Sequence, residues 1–541
     1  LLRVIPTMIT TALLVIIFPI IASALSNFPI VRTSYGAVRG YEYETAGGFV
    51  GEIYKKIPYA SPPTGSRRWK KAVPPQGWNY TVDGTFFGPS CAQVPSPYDG
   101  YVTGTSEDCL TLAVYTSKMC RESSCPVAVY VHGGSVLFGG PAVFLDETLV
   151  RNFAKQGIVL VTIQYRLGVF GELTLGDENA VPANLAIHDV VESLRFVRNE
   201  IHNFGGNKDE VTVMGHSSGA TLVTTLVFSP AVNKANDVLF TQAISMSTVM
   251  YLESAEKQIN LSRKIAASVG CTGSAPEIVD CLRPLSEKTL IQAATDLGGP
   301  NMFNVNHLGG ITFAGELLPI RNLKELRDNQ AEHMKAIGQP TKLLIGTTVN
   351  EFRAFGAQNT GEIDDNPSEM EDNYAQMTFV LGVSNSEECA KMYRNDLKTG
   401  KFDTTYDTLS QAIFMTTSLF AKAQVQTGGE VYLYQWDYAK HARHADDLYY
   451  VMNVPSYSMN DDEKWIQRAY PQYFANFIKG VPLAQDWSAL DPELMNYYSF
   501  NKSFTDKVAP KLKFGYHQDL ADYYEGMMQF DEKLSKAKQM V

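Results

Sequence analysis

The residues best placed to do chemistry are Gly215-His216-Ser217-Ser218-Gly219, a serine with a glycine two positions to either side. A β-branched run from Val211 enters this stretch and Ala220-Thr-Leu-Val-Thr-Thr-Leu-Val-Phe228 leaves it, which reads as strand, tight turn and buried helix. Such a turn forces its central residue into a strained conformation, so Ser217 Oγ would stand clear of the backbone at the sheet edge as a nucleophile. The helix start behind it aims free amides and a partial positive charge at any oxyanion formed there. Alone, three fixed positions recur by chance in roughly one chain in five of this length, so the decision rests on finding a base and an acid elsewhere.

The elements that would position this serine alternate between strands and helices. Pro126-Val-Ala-Val-Tyr-Val131 is strand-like and delivers His132-Gly133-Gly134-Ser135 into a Gly-rich loop ending at Gly139-Gly140. Adjacent glycines after a buried strand let backbone amides approach a ligand closely. Ile158-Val-Leu-Val-Thr-Ile-Gln-Tyr165 is apolar on both faces, as a central strand should be. From Asn184 to Phe204 the apolar residues Leu185, Val190, Leu194 and Val197 fall at helical spacing and lead through Gly205-Gly206 into the elbow strand. The alternation predicts an α/β sheet.

The chain has 541 residues, 45% of them hydrophobic and 19% charged, enough to bury a large core. A net charge of −11 without any basic run argues against nucleic acid as a partner. Val4 to Leu25 is almost wholly apolar, follows Arg3 and ends in Ala22-Ser23-Ala24, the pattern of a secretory signal cleaved after Ala24. Its length approaches the roughly 20 residues that span a bilayer, so residues 1–24 are a signal peptide or an uncleaved anchor, with the main domain over 28–541. Membrane attachment is expected only in the anchor case.

Seven cysteines fit a secretory context. Near neighbours make natural pairs: Cys91 with Cys109 around a Pro/Gly/Ser-rich loop, Cys271 with Cys281 around a shorter one, and Cys120 with Cys125 just before a strand. Cys389 is left over and reads as a buried, inert thiol. No cysteine lies beside a histidine at ligand spacing, so no metal is expected, and acyl transfer through a serine requires no cofactor. Asn79, Asn260 and Asn501 begin acceptor sequons for glycosylation if the chain enters the ER. The run from Asn359 to Asn373, rich in Asp, Glu, Asn and Gly, reads as an exposed loop.

Ile57-Pro-Tyr-Ala60, Ser106-Glu-Asp-Cys-Leu110, His132-Gly-Gly134, Tyr165-Arg-Leu-Gly168, Phe204-Gly-Gly206 and the elbow occur together in this order. As a set they resemble the type-B carboxylesterase/cholinesterase family of α/β-hydrolases, and the resemblance runs from about Ile30 to past Trp487. It implies a single large α/β-hydrolase domain, with a central, mostly parallel mixed sheet flanked by helices. It also implies where the rest of the site lies. Glu351, in the loop after the strand beginning at Leu343, matches the family's catalytic acid. His444, opening His444-Ala-Asp-Asp-Leu448 after the strand Val431-Tyr-Leu-Tyr-Gln-Trp436, matches its base. The order Ser217, Glu351, His444 is that of α/β-hydrolases generally. His441 is a competing base three residues earlier, at a position where the family usually has glycine.

The reading is therefore a serine carboxylesterase acting on small-molecule esters through an acyl-enzyme, secreted or in the secretory lumen, with oligomeric state open. The backbone amides of Gly134, Ser135 and Ser218 would hold the oxyanion. The resemblance implies bridges Cys91–Cys109 and Cys271–Cys281 and a buried ion pair between Glu107 and Arg166; Cys120–Cys125 rests on proximity alone. The chain departs from the family at three places: Ser135 replaces the usual third glycine, His216 the glutamate often found before the nucleophile, and Ser218 the alanine often found after it. Two alternatives stay open: a catalytically weak or inactive cholinesterase-like adhesion protein, and a lipase or amidase of the same fold.

Overall fold

The computed structural model describes residues 28–95, 104–234, 237–249, 252–298, 308–322, 324–325, 341–352, 378, 380–453 and 458–539. The N-terminal segment 1–24, the acidic run 359–373 and the two tyrosines of the Cys91–Cys109 loop that could offer a cation an aromatic face, Tyr98 and Tyr101, lie outside the described residues.

Among the described residues, eleven strands form one sheet: β1 (Tyr41–Glu44), β2 (Val50–Pro58), β3 (Thr111–Thr116), β4 (Cys125–Val131), β5 (Val159–Ile163), β6 (Gly206–His216), β7 (Gln242–Met246), β8 (Lys342–Thr348), β9 (Val431–Trp436), β10 (Tyr497–Phe500) and β11 (Lys511–Lys513). Their spatial order is β11-β10-β9-β8-β7-β6-β4-β5-β3-β2-β1. Every pairing from β10 through to β5 is parallel, and the strands outside that block pair antiparallel.

The apolar runs make the parallel block because both faces of each strand are covered. One row crosses six strands in register: Val161, Val129, Val213, Ala243, Leu343 and Val431. All six join one core cluster, while their chain neighbours Tyr130, Met214, Ile244 and Leu344 join the cluster on the opposite face. That is the two-residue period of a strand written into two cores. Each fully buried branched side chain contributes about 1.5–3 kcal/mol, so the rows fix the register.

Helices cover each face. On the side of the Val129 row lie α1 (Leu185–Glu200), α2 (Ser218–Phe228) and α3 (Thr408–Gln426). On the other lies α4 (Asp461–Ile478), which packs Tyr470 and Phe474 and starts at a capping box between Asn460 and Glu463. The chain closes with α5 (Gln518–Gln539), whose Tyr524 and Met527 pack on the α3 side.

The three expected disulfides are present: Cys91–Cys109, Cys120–Cys125 and Cys271–Cys281. Cys389 is a buried free thiol, pushed up to about 11 by burial, which removes it from nucleophilic chemistry near neutral pH. Of the three sequon asparagines, Asn79 and Asn260 are exposed and Asn501 is half-buried.

The expected Glu107–Arg166 pair is not what forms. Glu107 binds Arg68, whose Nε donates to it at 2.6 Å, and Arg166 makes a two-pronged pair with Asp189 at 2.7 and 2.6 Å. Arg166 leaves the end of β5 facing α1, where Asp189 is fully buried. A carboxylate there without a cation would be a costly buried charge, so it takes the nearest guanidinium. Arg68, beside the Cys91–Cys109 bridge, is then the partner left to Glu107.

Candidate active site

Each candidate residue sits just past the carboxyl end of a strand in the parallel block. The Gly-rich loop follows β4, Ser217 follows β6, Glu351 follows β8 and His444 follows β9. In open α/β sheets this edge is where ligands bind, because loops from neighbouring strands converge there.

Ser217 occupies the elbow that its flanking glycines predict. Its backbone has φ 58° and ψ −128°, far from either regular conformation, while its N–H donates to Met246 O at 2.9 Å and its carbonyl accepts Thr221 N at 3.1 Å. The turn closes only because nothing fills it. A Cβ on Gly215 would lie 2.4 Å from Gly219 O, and one on Gly219 would lie 2.2 Å from Val131 O. The Gly-rich loop is as tightly bent: Gly134, Ser135 and Val136 have φ of 114°, 58° and 56° in succession.

Glu351 and His444 come together as the family resemblance implies. His444 Nδ1 donates to Glu351 Oε2 at 2.5 Å, and the His444 backbone N–H donates to Glu351 O at 2.8 Å. The other carboxylate oxygen accepts the Ser247 hydroxyl at 2.6 Å and the Thr348 N–H at 2.8 Å. Burial pushes the Glu351 carboxyl up, and those two donors pull it back toward the ionised form. His444 is pulled down by burial, which favours the neutral ring a general base needs. Its Nε2 has no hydrogen-bond partner among the described residues, leaving that nitrogen available for a proton.

The rival base is placed elsewhere. His441 Nε2 lies 3.2 Å from Glu463 Oε1, at the start of α4, and its carbonyl accepts the Trp436 indole N–H.

Several members of the site were not read from the sequence. Ser247, just beyond β7, fixes the far oxygen of Glu351; a hydroxyl residue one step past a strand end next to the elbow strand was the available signal. The His444 ring is stacked on Phe352 at 4.5 Å between centroids and faces His216 at 4.7 Å. Burial holds His216 well below its ordinary range, with His444 adding to the effect, so it is neutral near pH 7. His132 and Tyr165 stack at 4.4 Å at the entry to the Gly-rich loop. Among the described residues no cluster of His, Cys, Asp and Glu could hold a metal.

The sequence matches the carboxylesterase family over residues 27–517. Gut esterase 1 of Caenorhabditis briggsae is 28% identical over 550 residues, covering 92% of each chain. Liver carboxylesterase 1 of Oryctolagus cuniculus is 28% identical over 512 residues, covering 86% of this chain and 88% of its own. Among solved structures, a PNB esterase superposes with a TM-score of 0.72 at 25% identity, over 91% of this chain and all of that one. The sheet, the converging loops and these full-length likenesses agree that the chain belongs to the carboxylesterase family and is a carboxylic ester hydrolase of the α/β-hydrolase fold.

Proposed function

We propose that this protein is a serine carboxylesterase whose triad is Ser217, His444 and Glu351. The observation that carries the reading is the 2.5 Å bond from His444 to a buried carboxylate, on the same sheet edge as the strained elbow serine. Ser217 Oγ attacks the ester carbonyl carbon while its proton passes to His444 Nε2. The carbonyl oxygen becomes an oxyanion held by the amides of Gly134, Ser135 and Ser218. Collapse expels the alkoxide, which takes the proton from His444, and leaves an acyl group on Ser217. Water then attacks that acyl group, gives a proton to His444, and the acid departs as Ser217 recovers its hydrogen. Glu351 holds the ring with Nδ1 protonated and stabilises its positive form. Fluorophosphonate labelling followed by peptide mapping tests the reading: the label is expected on Ser217, and a label elsewhere would overturn it.

Turnover needs His444 neutral, and burial lowers its pKa, so protonation should switch the enzyme off only below the ordinary imidazole range of about 6.5. With an uncharged aryl acetate, kcat/KM is expected to fall with decreasing pH along one limb whose midpoint lies below that value. A midpoint above 7 would remove the assignment of cause.

The substrate is a neutral acyl ester and not a choline ester. A quaternary ammonium is best held over an indole, worth about 2 kcal/mol or more when desolvated. The loop closed by Cys91 and Cys109 contains no tryptophan. The chain's five lie elsewhere: Trp69 donates to Val169 O, Trp78 to Ala37 O and Trp436 to His441 O, Trp487 stacks on Tyr498, and Trp465 lies under Lys502. His216, neutral and buried, stands where a glutamate would supply negative charge. Losing both sources lowers choline selectivity by about two orders of magnitude. Acetylthiocholine is expected to show a kcat/KM no higher than that of an uncharged thioester of similar size; a clear preference for the choline ester would sink this assignment.

The apolar segment at 1–24, a signal peptide or an anchor, and the three disulfides, which form in oxidising compartments, support a place outside the cell or in the secretory lumen. No helix among the described residues is long and apolar enough to cross a membrane.

A further inference from the structure

The loop that carries Gly134 and Ser135 is strained at its exit. Val136 has φ 56°, a conformation that a β-branched residue keeps only where its surroundings hold it. Two hydrogen bonds hold this one. Its carbonyl accepts Gly168 N at 2.7 Å, and its N–H donates to Ser218 Oγ at 3.1 Å. Ser218 is fully buried and is the residue that replaces the family's usual alanine. At the other end of the loop, the Tyr165 phenol donates to His132 O at 2.6 Å. His132 and Val136 are the two ends of the oxyanion loop, so the Ser218 hydroxyl ties one end to the elbow and the Tyr165 phenol holds the other.

We propose that the Ser218 side chain is a positioning residue for the oxyanion hole, latching Val136 so that the amides of Gly134 and Ser135 face the carbonyl attacked by Ser217. The inference rests on the triad reading above. Ser218 acts twice: its backbone amide is a donor to the oxyanion, and its hydroxyl sets the place of the other two donors. Alanine would keep the first role and lose the second, and it would leave the Val136 N–H buried without its partner. A misplacement of about 1 Å in a catalytic group can lower a rate by up to about 100-fold. The donors act on charge that exists only in the transition state, so the loss belongs in kcat.

The test compares Ser218→Ala, Tyr165→Phe and the double variant on an uncharged aryl ester, with rates divided by the number of sites titrated by fluorophosphonate. Each single variant is expected to lose about tenfold in kcat per titrated site, with KM within about twofold of the parent. Affinity for a trifluoromethyl ketone, which forms a tetrahedral adduct on the serine, should weaken by the same factor as kcat/KM. Because the two bonds hold the two ends of one loop, the double variant should lose less than the product of the two single losses. A purely structural role would lower the melting temperature and the titrated fraction while kcat per site held within twofold, and that result would overturn the proposal. Additive losses would overturn it as well. Absence of label on Ser217 in the parent enzyme would instead overturn the triad reading, so the two failures are distinct.

Discussion

Ser217→Ala is expected to abolish both ester turnover and fluorophosphonate labelling while leaving the fold and melting temperature essentially unchanged. The hydroxyl is the only group lost, and no strand or helix depends on it: the backbone at Ser217 is anchored through Met246 O and Thr221 N. Where a catalytic serine is removed from a serine hydrolase the loss is on the order of 10⁶ in kcat, and what remains comes from the oxyanion hole and binding. Ser217→Gly refines the same experiment. Glycine relaxes at φ 58°, so this variant should be equally inactive yet no less stable than the alanine one, marking strain held at the elbow for the sake of the nucleophile. Turnover within 100-fold of the parent, or fluorophosphonate mapped to another serine of Ser217→Ala, would show that the nucleophile lies elsewhere.

What could be read from the sequence was set by local rules. The parallel strands β4, β5, β6, β8 and β9 announce themselves because burial on both faces demands continuous apolar runs. The elbow is legible because the turn tolerates nothing larger than glycine at positions 215 and 219. The Cys120–Cys125 bridge follows from proximity, with a sequence separation of 5, whereas Cys91–Cys109 and Cys271–Cys281 were implied by the family resemblance. The edge strands are different. β1 alternates half-buried and exposed residues, and β11 is three residues long, so neither carries a pattern distinct from a polar loop. Ion pairing failed for a related reason: the partner of Arg166 depends on which helix packs on β5, a tertiary fact. A signal was nonetheless present, since Asp189 lies among the apolar residues of α1 and a buried carboxylate there requires a cation. The ring contacts of His444 with Phe352 and His216 join three separate loops and leave no mark at sequence level. Choosing His444 over His441 rested on matching a family pattern; the chemical ground for the choice is the carboxylate each one meets in the fold.

That choice yields the second large effect. His444→Ala is expected to cost ~10⁴ to 10⁶ in kcat, because the alkoxide of Ser217 and the leaving group both need a proton carrier at Nε2. Glu351→Gln should cost somewhat less, ~10³ to 10⁴, for a reason visible in the hydrogen bonds. One carboxylate oxygen already accepts from Ser247 and Thr348 N–H, so the amide oxygen of glutamine would take that place and its NH₂ would face His444. An N–H donor there forces Nδ1 to accept and puts the ring proton on Nε2, the nitrogen that must be bare to act as base. His441→Ala should leave kcat within a few-fold of the parent, since that ring meets Glu463 at the start of α4. Fluorophosphonate labelling rates, measured beside kcat for all three variants, separate nucleophile activation from later steps. Full activity in His444→Ala with none in His441→Ala would reverse the assignment and make the Glu351 bond a structural contact.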